Sequence, residues 1–370
     1  MSEAQLQHTP LAACHEKLKA QMVDFAGWYL PLNYTSVIQE HMHTRQKASL
    51  FDTSHMGEIE IRGPHAFAFL QNLLTFDLQK LPPLHCHYTL LCNEAGGTID
   101  DCFVYCFNTN RYWLVVNASN TAKDLGWLRQ HASLYSVVIQ DLSAQKAKLD
   151  IQGPLAEEIL QRLTTFPLKL LKRFDFVETR LLTYLVVISR SGYTAEDGFE
   201  IYLDAQNAAS IWNCLLTSDS RLKPAGLAAR DSLRLEACYS LYGHELAEDI
   251  TPLEAGLSWV VDLKEKDYIG KKALQAQKAN GPKRRLIAFK LKNRSLPRQG
   301  MPIFYNDQRC GLVTSGGFSP ILNCPIGLGL CEGVILEPGY VIQIEIRQTA
   351  CEALVVKRPF YKYNFSKEKG

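Results

Sequence analysis

Two polar rhythms run along this chain, and each predicts a different kind of element. Cys102-Phe103-Val104-Tyr105-Cys106-Phe107 is apolar at every position, as in a strand covered on both faces. Leu181 to Ser189 reads as a second buried strand. Ser191 to Gly198 is a polar loop, and Phe199-Glu200-Ile201-Tyr202-Leu203 returns with alternation, which makes the whole a hairpin. Ala225 to Tyr239 has a helical pattern, with Arg230 and Arg234 one turn apart. Residues 1–52 lack a sustained rhythm and read as an irregular lead-in with helical patches, punctuated by Pro10, Gly27 and Pro31.

One device occurs twice. Glu60-Ile61-Arg62-Gly63-Pro64 ends a strand, and Phe67, Leu70, Leu73 and Leu74 follow at helical spacing. Ninety residues on, Asp150-Ile151-Gln152-Gly153-Pro154 is followed by Leu155, Ile159, Leu160 and Leu163. Proline suits the first turn of a helix, where its missing N–H costs nothing. Two strand–Gly-Pro–helix units predict two related α+β halves. Asn280-Gly281-Pro282 marks a domain boundary. Beyond it Ile342, Ile344 and Ile346 alternate with Gln343, Glu345 and Arg347, and Gly316-Gly317 and Pro338-Gly339 mark turns. That pattern predicts a small β-barrel domain.

Composition narrows the class. The chain has 370 residues, 46% of them hydrophobic, and a net charge of +2, which suits two or three globular domains. No apolar run approaches the roughly 18 residues of a membrane helix. The start, Met1 to Leu6, has neither the basic region nor the apolar core of a secretory leader. Eleven scattered cysteines without a CxxC pair read as free thiols of a reducing cytoplasm. The near-neutral charge gives no nucleic-acid footprint. P-loop, GxGxxG and nucleophile-elbow signatures are absent, which argues against nucleotide-driven chemistry and serine hydrolysis.

The candidate chemistry centres on Asn93-Glu94-Ala95-Gly96-Gly97-Thr98-Ile99-Asp100-Asp101. The Gly-Gly turn permits positive φ and close packing. The two acids open the apolar strand and must face opposite sides of it. At least one carboxylate is then partly buried, a costly arrangement unless it is paired or used. In the hairpin, Glu200 points away from Phe199 and Ile201. Aimed into a pocket, it could accept two parallel N–H bonds from a planar heterocycle. His85-Cys86-His87, with Cys92 nearby, lacks a second ligand pair at metal spacing, so no metal is expected. Cys102 and Cys106 read as core filling. Lys271, Lys272, Lys278, Lys283, Arg284 and Arg285 form a basic run, read as a solvated linker or as a landing surface for an acidic partner.

Nine segments in order, MVDFAGWYLPLNY, LFDTSHMGEIEI, NEAGGTIDDCFVY, SGYTAEDGFEIY, AGLAARDSLRLEA, YGHEL, TPLEAGLSW, YIGKKAL and VTSGGFSP, resemble the glycine cleavage system T-protein (aminomethyltransferase) family over nearly the whole chain. The resemblance implies an α+β, three-domain cloverleaf. Two related, intertwined α+β halves (1–280) would surround a folate site, and a β-barrel domain (281–370) would follow. It implies transfer of a one-carbon unit from the aminomethyl-lipoyl carrier protein (H-protein) to tetrahydrofolate, with release of ammonia. The family's catalytic aspartate matches Asp101. Its folate-binding positions match Glu200, Tyr193, Arg230, Tyr88, Met56, Asn117 and Tyr239. Three departures stand out. Ala195 replaces the glycine of YTGEDG, Cys238 replaces that of EAG, and Phe76 stands where a polar residue is common. Ala195 alters the loop if φ there is positive.

Two other classes share the resemblance. One is a non-catalytic folate-binding protein of iron–sulfur maintenance with a KGCYxGQE-like segment. Here that region reads Asp267-Tyr268-Ile269-Gly270-Lys271-Lys272, without cysteine, which favours the transferase. The other is a folate-dependent demethylase component, which usually carries a fused flavin domain that 370 residues do not accommodate.

Overall fold

The computed structural model describes residues 6–362. The leader reading at Met1 to Gln5 and the last residues of the 281–370 region lie outside them. Two large open sheets, a small three-stranded sheet and a closed barrel make up the architecture of the described residues. The first sheet orders its strands His85–Cys92, Thr98–Asn108, Arg111–Val116, Gly57–Arg62 and Val138–Asp141. The second orders Phe176–Leu181, Tyr184–Ser189, Gly198–Asp204, Lys146–Gln152, Ala48–Asp52 and Leu222–Pro224. In both, the first four strands of the half take the spatial order second, third, fourth, first. The internal echo is therefore a repeat of topology.

The repeat extends to single hydrogen bonds. Gln71 Oε1 accepts from the Leu78 amide at 2.8 Å, and Gln161 Oε1 accepts from Leu168 at the same distance. Gly63 and Gly153 have φ of +137° and +129°, and a Cβ on either would lie 2.4 Å from a backbone oxygen. The prolines sit differently from the expectation. Pro64 and Pro154 lie in the turn ahead of the helices Ala66–Leu73 and Ala156–Gln161, not in their first turns.

Each sheet carries helices on its outer face. Cys102, Val104 and Cys106 join the helix residues Phe69, Leu70, Leu73, Leu125 and Leu128 in one core. Phe199, Ile201 and Leu203 join Ile159, Leu160, Ile211 and Trp212 in another. The inner faces meet through Tyr105, Phe107, Trp113, Phe176 and Tyr202. The strand Thr98–Asn108 is thus covered on both sides, as its unbroken apolar run predicts. The two cysteines are core filling, and all eleven cysteines are free.

The lead-in is more ordered than its sequence suggests. Gln7–His8, Trp28–Asn33 and Gln21–Phe25 form a small sheet, and Ala48–Asp52 belongs to the second large sheet. Pro31 lies within the strand Trp28–Asn33, which hides the strand from a pattern reading. The buried strand read over 181–189 is in fact a hairpin joint. Leu181 ends one strand, Tyr184 begins the next, and Leu182 turns the chain with φ +56°. A leucine in that conformation gives no turn signal.

After the helix Lys271–Asn280 the barrel closes in the order Arg284–Leu291, Cys324–Glu332, Gln308–Ser319, Pro302–Tyr305, Val341–Ile346, Thr349–Val356. Ile342, Ile344 and Ile346 all point into its core. Within the basic run, Lys272, Lys278, Lys283 and Arg285 are exposed. Arg284 instead pairs with Glu254 and Asp249, each at 3.1 Å. No helix among the described residues is long and apolar enough to cross a membrane.

Candidate active site

A cavity of about 1900 Å³ opens between the inner faces of the half-sheets, the helix Leu227–Glu236 and the near end of the barrel. Asp101, Glu200, Tyr193, Arg230, Tyr88, Met56, Asn117 and Tyr239 all line it. All eight residues singled out from sequence therefore meet in one space.

The Gly-Gly turn aims the acid pair. Gly96 has φ +83°, and a Cβ on Gly97 would lie 1.8 Å from the Glu248 carbonyl oxygen. Strand alternation then sends Asp100 toward the helical side, where it is fully buried, and Asp101 toward the cavity. Neither acid is solvated as a plain strand start would leave it. Asp101 accepts from Tyr88 OH at 2.9 Å and from Asn117 Nδ2 at 2.8 Å. Burial, and next the charge of Asp100, push its carboxyl up to about 7. A group with that affinity can both hold and release a proton near neutral pH.

On the other half, Glu200 is ringed by donors. Lys148 Nζ gives to Oε1 at 2.6 Å, and Ser191, Tyr105 and Tyr202 reach Oε2 at 2.7, 3.1 and 3.3 Å. Burial would raise its affinity for a proton, but the Lys148 ammonium and these bonds outweigh that and hold it below the usual range. Glu200 is a permanent anion at neutral pH. Oε1 keeps an accepting site, whereas Oε2 is filled. A bidentate grip on a heterocycle therefore requires one of the hydroxyls to turn away.

The aromatic and cationic walls are held in turn. Arg230 donates to Asp150 at 2.9 Å, which sets its guanidinium 4.9 Å from the Tyr193 ring centre. Tyr193 gives its hydroxyl proton to the Ser240 carbonyl and packs on Tyr239 at 5.7 Å. The Tyr239 hydroxyl accepts from Arg173 at 3.3 Å. Arg234, one turn after Arg230, serves Glu245 and Ser315 instead. Met56 sits in the Ser54-His55-Met56-Gly57 corner, beside the inter-sheet core.

Both glycine replacements fall where glycine conformations are needed. Ala195 has φ +60° and Cys238 φ +55°. Arg45 holds Ala195 in place from both sides, through Thr194 O at 2.6 Å and Glu196 Oε1 at 2.8 Å. Phe76 stacks on the His87 ring at 3.6 Å. His85 pairs with Asp175 at 2.9 Å, so the two histidines are engaged separately.

Sequence reasoning passed over Lys148 and Asp150, which hold Glu200 and Arg230. Their signal was present. In Lys146-Ala147-Lys148-Leu149-Asp150-Ile151-Gln152 polar and apolar residues alternate as in a strand, and the strand's central place in the sheet, facing the other half, turns the polar side inward. Lys148 is 1% exposed and Asp150 fully buried. Trp259 was also missed. It stacks on Tyr88 at 6.0 Å and 25° yet is 64% exposed, and no local pattern separates it from an ordinary surface residue.

These features define an enzyme of mixed α+β class, with its acid site between two repeated half-sheets and a barrel at the C-terminal side. Residues 11–265 match the GCVT N-terminal domain, and residues 284–362 match the glycine cleavage T-protein C-terminal barrel domain. The aminomethyltransferase of Caldanaerobacter subterraneus subsp. tengcongensis is 47% identical over 365 residues, covering 98% of each chain. That of Geobacillus kaustophilus is 44% identical over 361 residues, covering 96% of this chain and 99% of its own. The crystal structure of glycine cleavage system aminomethyltransferase T from Bartonella henselae superposes with a TM-score of 0.92 at 36% identity, covering 97% and 99%. The chain belongs to the glycine cleavage T-protein family.

Proposed function

We propose that this chain is a tetrahydrofolate-dependent aminomethyltransferase that takes the aminomethyl group from the lipoyl arm of the H-protein carrier and releases ammonia. The observation that carries the reading is the meeting of Asp101, poised near neutral, with the anionic Glu200 across one aromatic-walled cavity. In this reading residues 1–280 form the folate region and 281–370 the barrel domain, and the enzyme works in the cytoplasm without a metal.

The cavity suits a flat, polar co-substrate. Tyr88 and Tyr193 offer ring faces, and Met56 and Tyr239 extend the wall. Glu200 offers an accepting oxygen to the N–H edge of a pterin. Arg230 is positioned beside it by Asp150. Tetrahydrofolate supplies the nitrogens that receive the one-carbon unit. Asp101 orients the accepting nitrogen, stabilises developing positive charge and exchanges a proton with it. Tyr88 and Asn117 fix the Asp101 carboxylate, so orientation precedes the chemistry.

The test measures methylenetetrahydrofolate formation from tetrahydrofolate and aminomethylated carrier. Asp101→Asn is expected to lower turnover by roughly 10²–10⁴-fold with folate still bound. Wild-type protein that binds folate without turnover would overturn the transferase reading. Equal turnover in both proteins would remove Asp101 from its role.

A further inference from the structure

We propose that Asp100 is a positioning residue that holds the Asn117 amide against Asp101 and places a second, buried negative charge behind it. This rests on Asp101 being the reacting acid. One nitrogen, Asn117 Nδ2, lies 2.8 Å from Asp100 Oδ1 and 2.8 Å from Asp101 Oδ1. An amide NH₂ has two hydrogens, so a single group ties both carboxylates together. Asp100 is the anchor of that fork. It also accepts from the Asn117 backbone at 3.0 Å and from Asn120 Nδ2 at 2.6 Å. These donors come from the turn that ends the strand Arg111–Val116 and starts the helix Thr121–Gln130.

Asp124, on the first turn of that helix, is the remaining partner. It is fully buried, and no donor among the described residues reaches either of its oxygens. Its carboxyl adjoins that of Asp100. Two adjacent buried carboxyls do not both ionise. A proton on Asp124, given to Asp100, provides one Asp124 oxygen with a partner and adds a donor to Asp100. Burial, then the Asp100 charge, push Asp124 up to about 10. Burial raises the Asp100 carboxyl as well, but the Asn117 and Asn120 donors work against it and Asp124 has none, so the one negative charge of the pair rests on Asp100, behind Asp101. Lys123 faces Asp124, and Tyr242 and Cys102 face Asp100. Tyr88 and Tyr193 face Asp101 from the cavity side. Lys123, the one cation in this group, is turned to Tyr242 at 2.7 Å and Glu248 at 3.2 Å.

The experiment combines the pH dependence of kcat with a carboxyl ¹³C NMR titration of the full chain, in which the Asp101 signal is assigned by its loss in Asp101→Asn. In Asp100→Asn the limb reporting Asp101 is expected to move at least about one pH unit lower, a tenfold fall in proton affinity. Asp100→Glu, which keeps the charge, should hold the limb near its wild-type position. A folded Asp100→Asn whose rate falls evenly at every pH, with the limb unmoved, would overturn the proposal. The wild-type titration decides even if Asp100→Asn does not fold. Asp100, assigned by the loss of its signal in Asp100→Glu, ionising before Asp101 supports the proposal, and Asp101 ionising first overturns it. Failure of the catalytic reading is separately visible, as wild-type turnover in Asp101→Asn.

Discussion

In the first half of the molecule Asp100 and Asp101 are met by side-chain amides, a backbone N–H and one phenol, and Asp124 by no donor among the described residues. In the second, Asp150 and Glu200 are met by Lys148 and Arg230. The strand order is shared, and the electrostatics are opposite. Neutral donors cannot offset three crowded carboxyls, so proton affinity rises there. The buried Lys148 ammonium and the nearby Arg230 supply the opposite charge there, so Glu200 stays ionised despite full enclosure. One repeated scaffold therefore carries a proton-exchanging acid on one wall of the cavity and a fixed anion on the other. Burial is common to both, and the charge of the partners decides the outcome.

Removing the cation from the second half should break this contrast most severely. Lys148→Met leaves Glu200 and Asp150 without their ammonium and is expected to cost about 3–5 kcal/mol, read as a large fall in the denaturation midpoint. A smaller loss would mean that Arg230 alone balances both acids. Next comes Glu200→Gln. It keeps the shape and removes the anion, so folate affinity should fall roughly 10–100-fold, since hydrogen bonds to charged groups contribute about 1.5–3 kcal/mol. Unchanged affinity in a folate titration would show that Glu200 only holds Lys148.

Stability against pH sharpens the other side. Asp101 binds its proton more tightly folded than unfolded, with the folded value near 7 against an ordinary carboxylate. Between about pH 4 and 7 the folded state holds a proton that the unfolded state has released, so this residue lowers stability as pH rises. Asp101→Asn should therefore melt close to wild type at pH 4 and above it at pH 8. A gap that is constant across that range would place the Asp101 proton affinity at the ordinary value. The smallest effect tests backbone rather than charge. Ala195→Gly should stabilise by about 0.5–1 kcal/mol, because the left-handed conformation costs a non-glycine about 1–2 kcal/mol and glycine returns part of that as unfolded-state entropy. A fall in midpoint would show that the buried methyl group outweighs the strain.

The parts of the fold legible in sequence were those with a strict period. The isoleucines of 342–346 alternate because one face fills a barrel, and the two Gly-Pro devices repeat because two halves do. What stayed hidden was set by tertiary pairing. Ala48–Asp52 is a five-residue strand whose partners lie at Leu149–Gln152 and Leu222–Pro224. Nothing local distinguishes it from a loop. The site followed the same division. Asp101 and Glu200 stand in strands of clear pattern, and the family segments marked the tyrosines and Arg230. Lys148 and Asp150 stood in a strand whose polar alternation was visible, but only the facing sheet shows that this alternation points inward. Leu182 takes a left-handed conformation without glycine, so its turn carries no chemical sign, whereas Ala195 and Cys238 were marked by the family glycines they replace.

The long reach of Ala48–Asp52 matters during synthesis. Its neighbour Lys146–Gln152 leaves the ribosome about a hundred residues later, a wait of roughly 5–20 s at ordinary elongation rates. Until then an apolar strand with the buried Leu50 and Phe51 has no sheet to enter. The N-terminal segment therefore cannot finish as an independent unit, and its sheet is completed only once the second half of the chain has emerged.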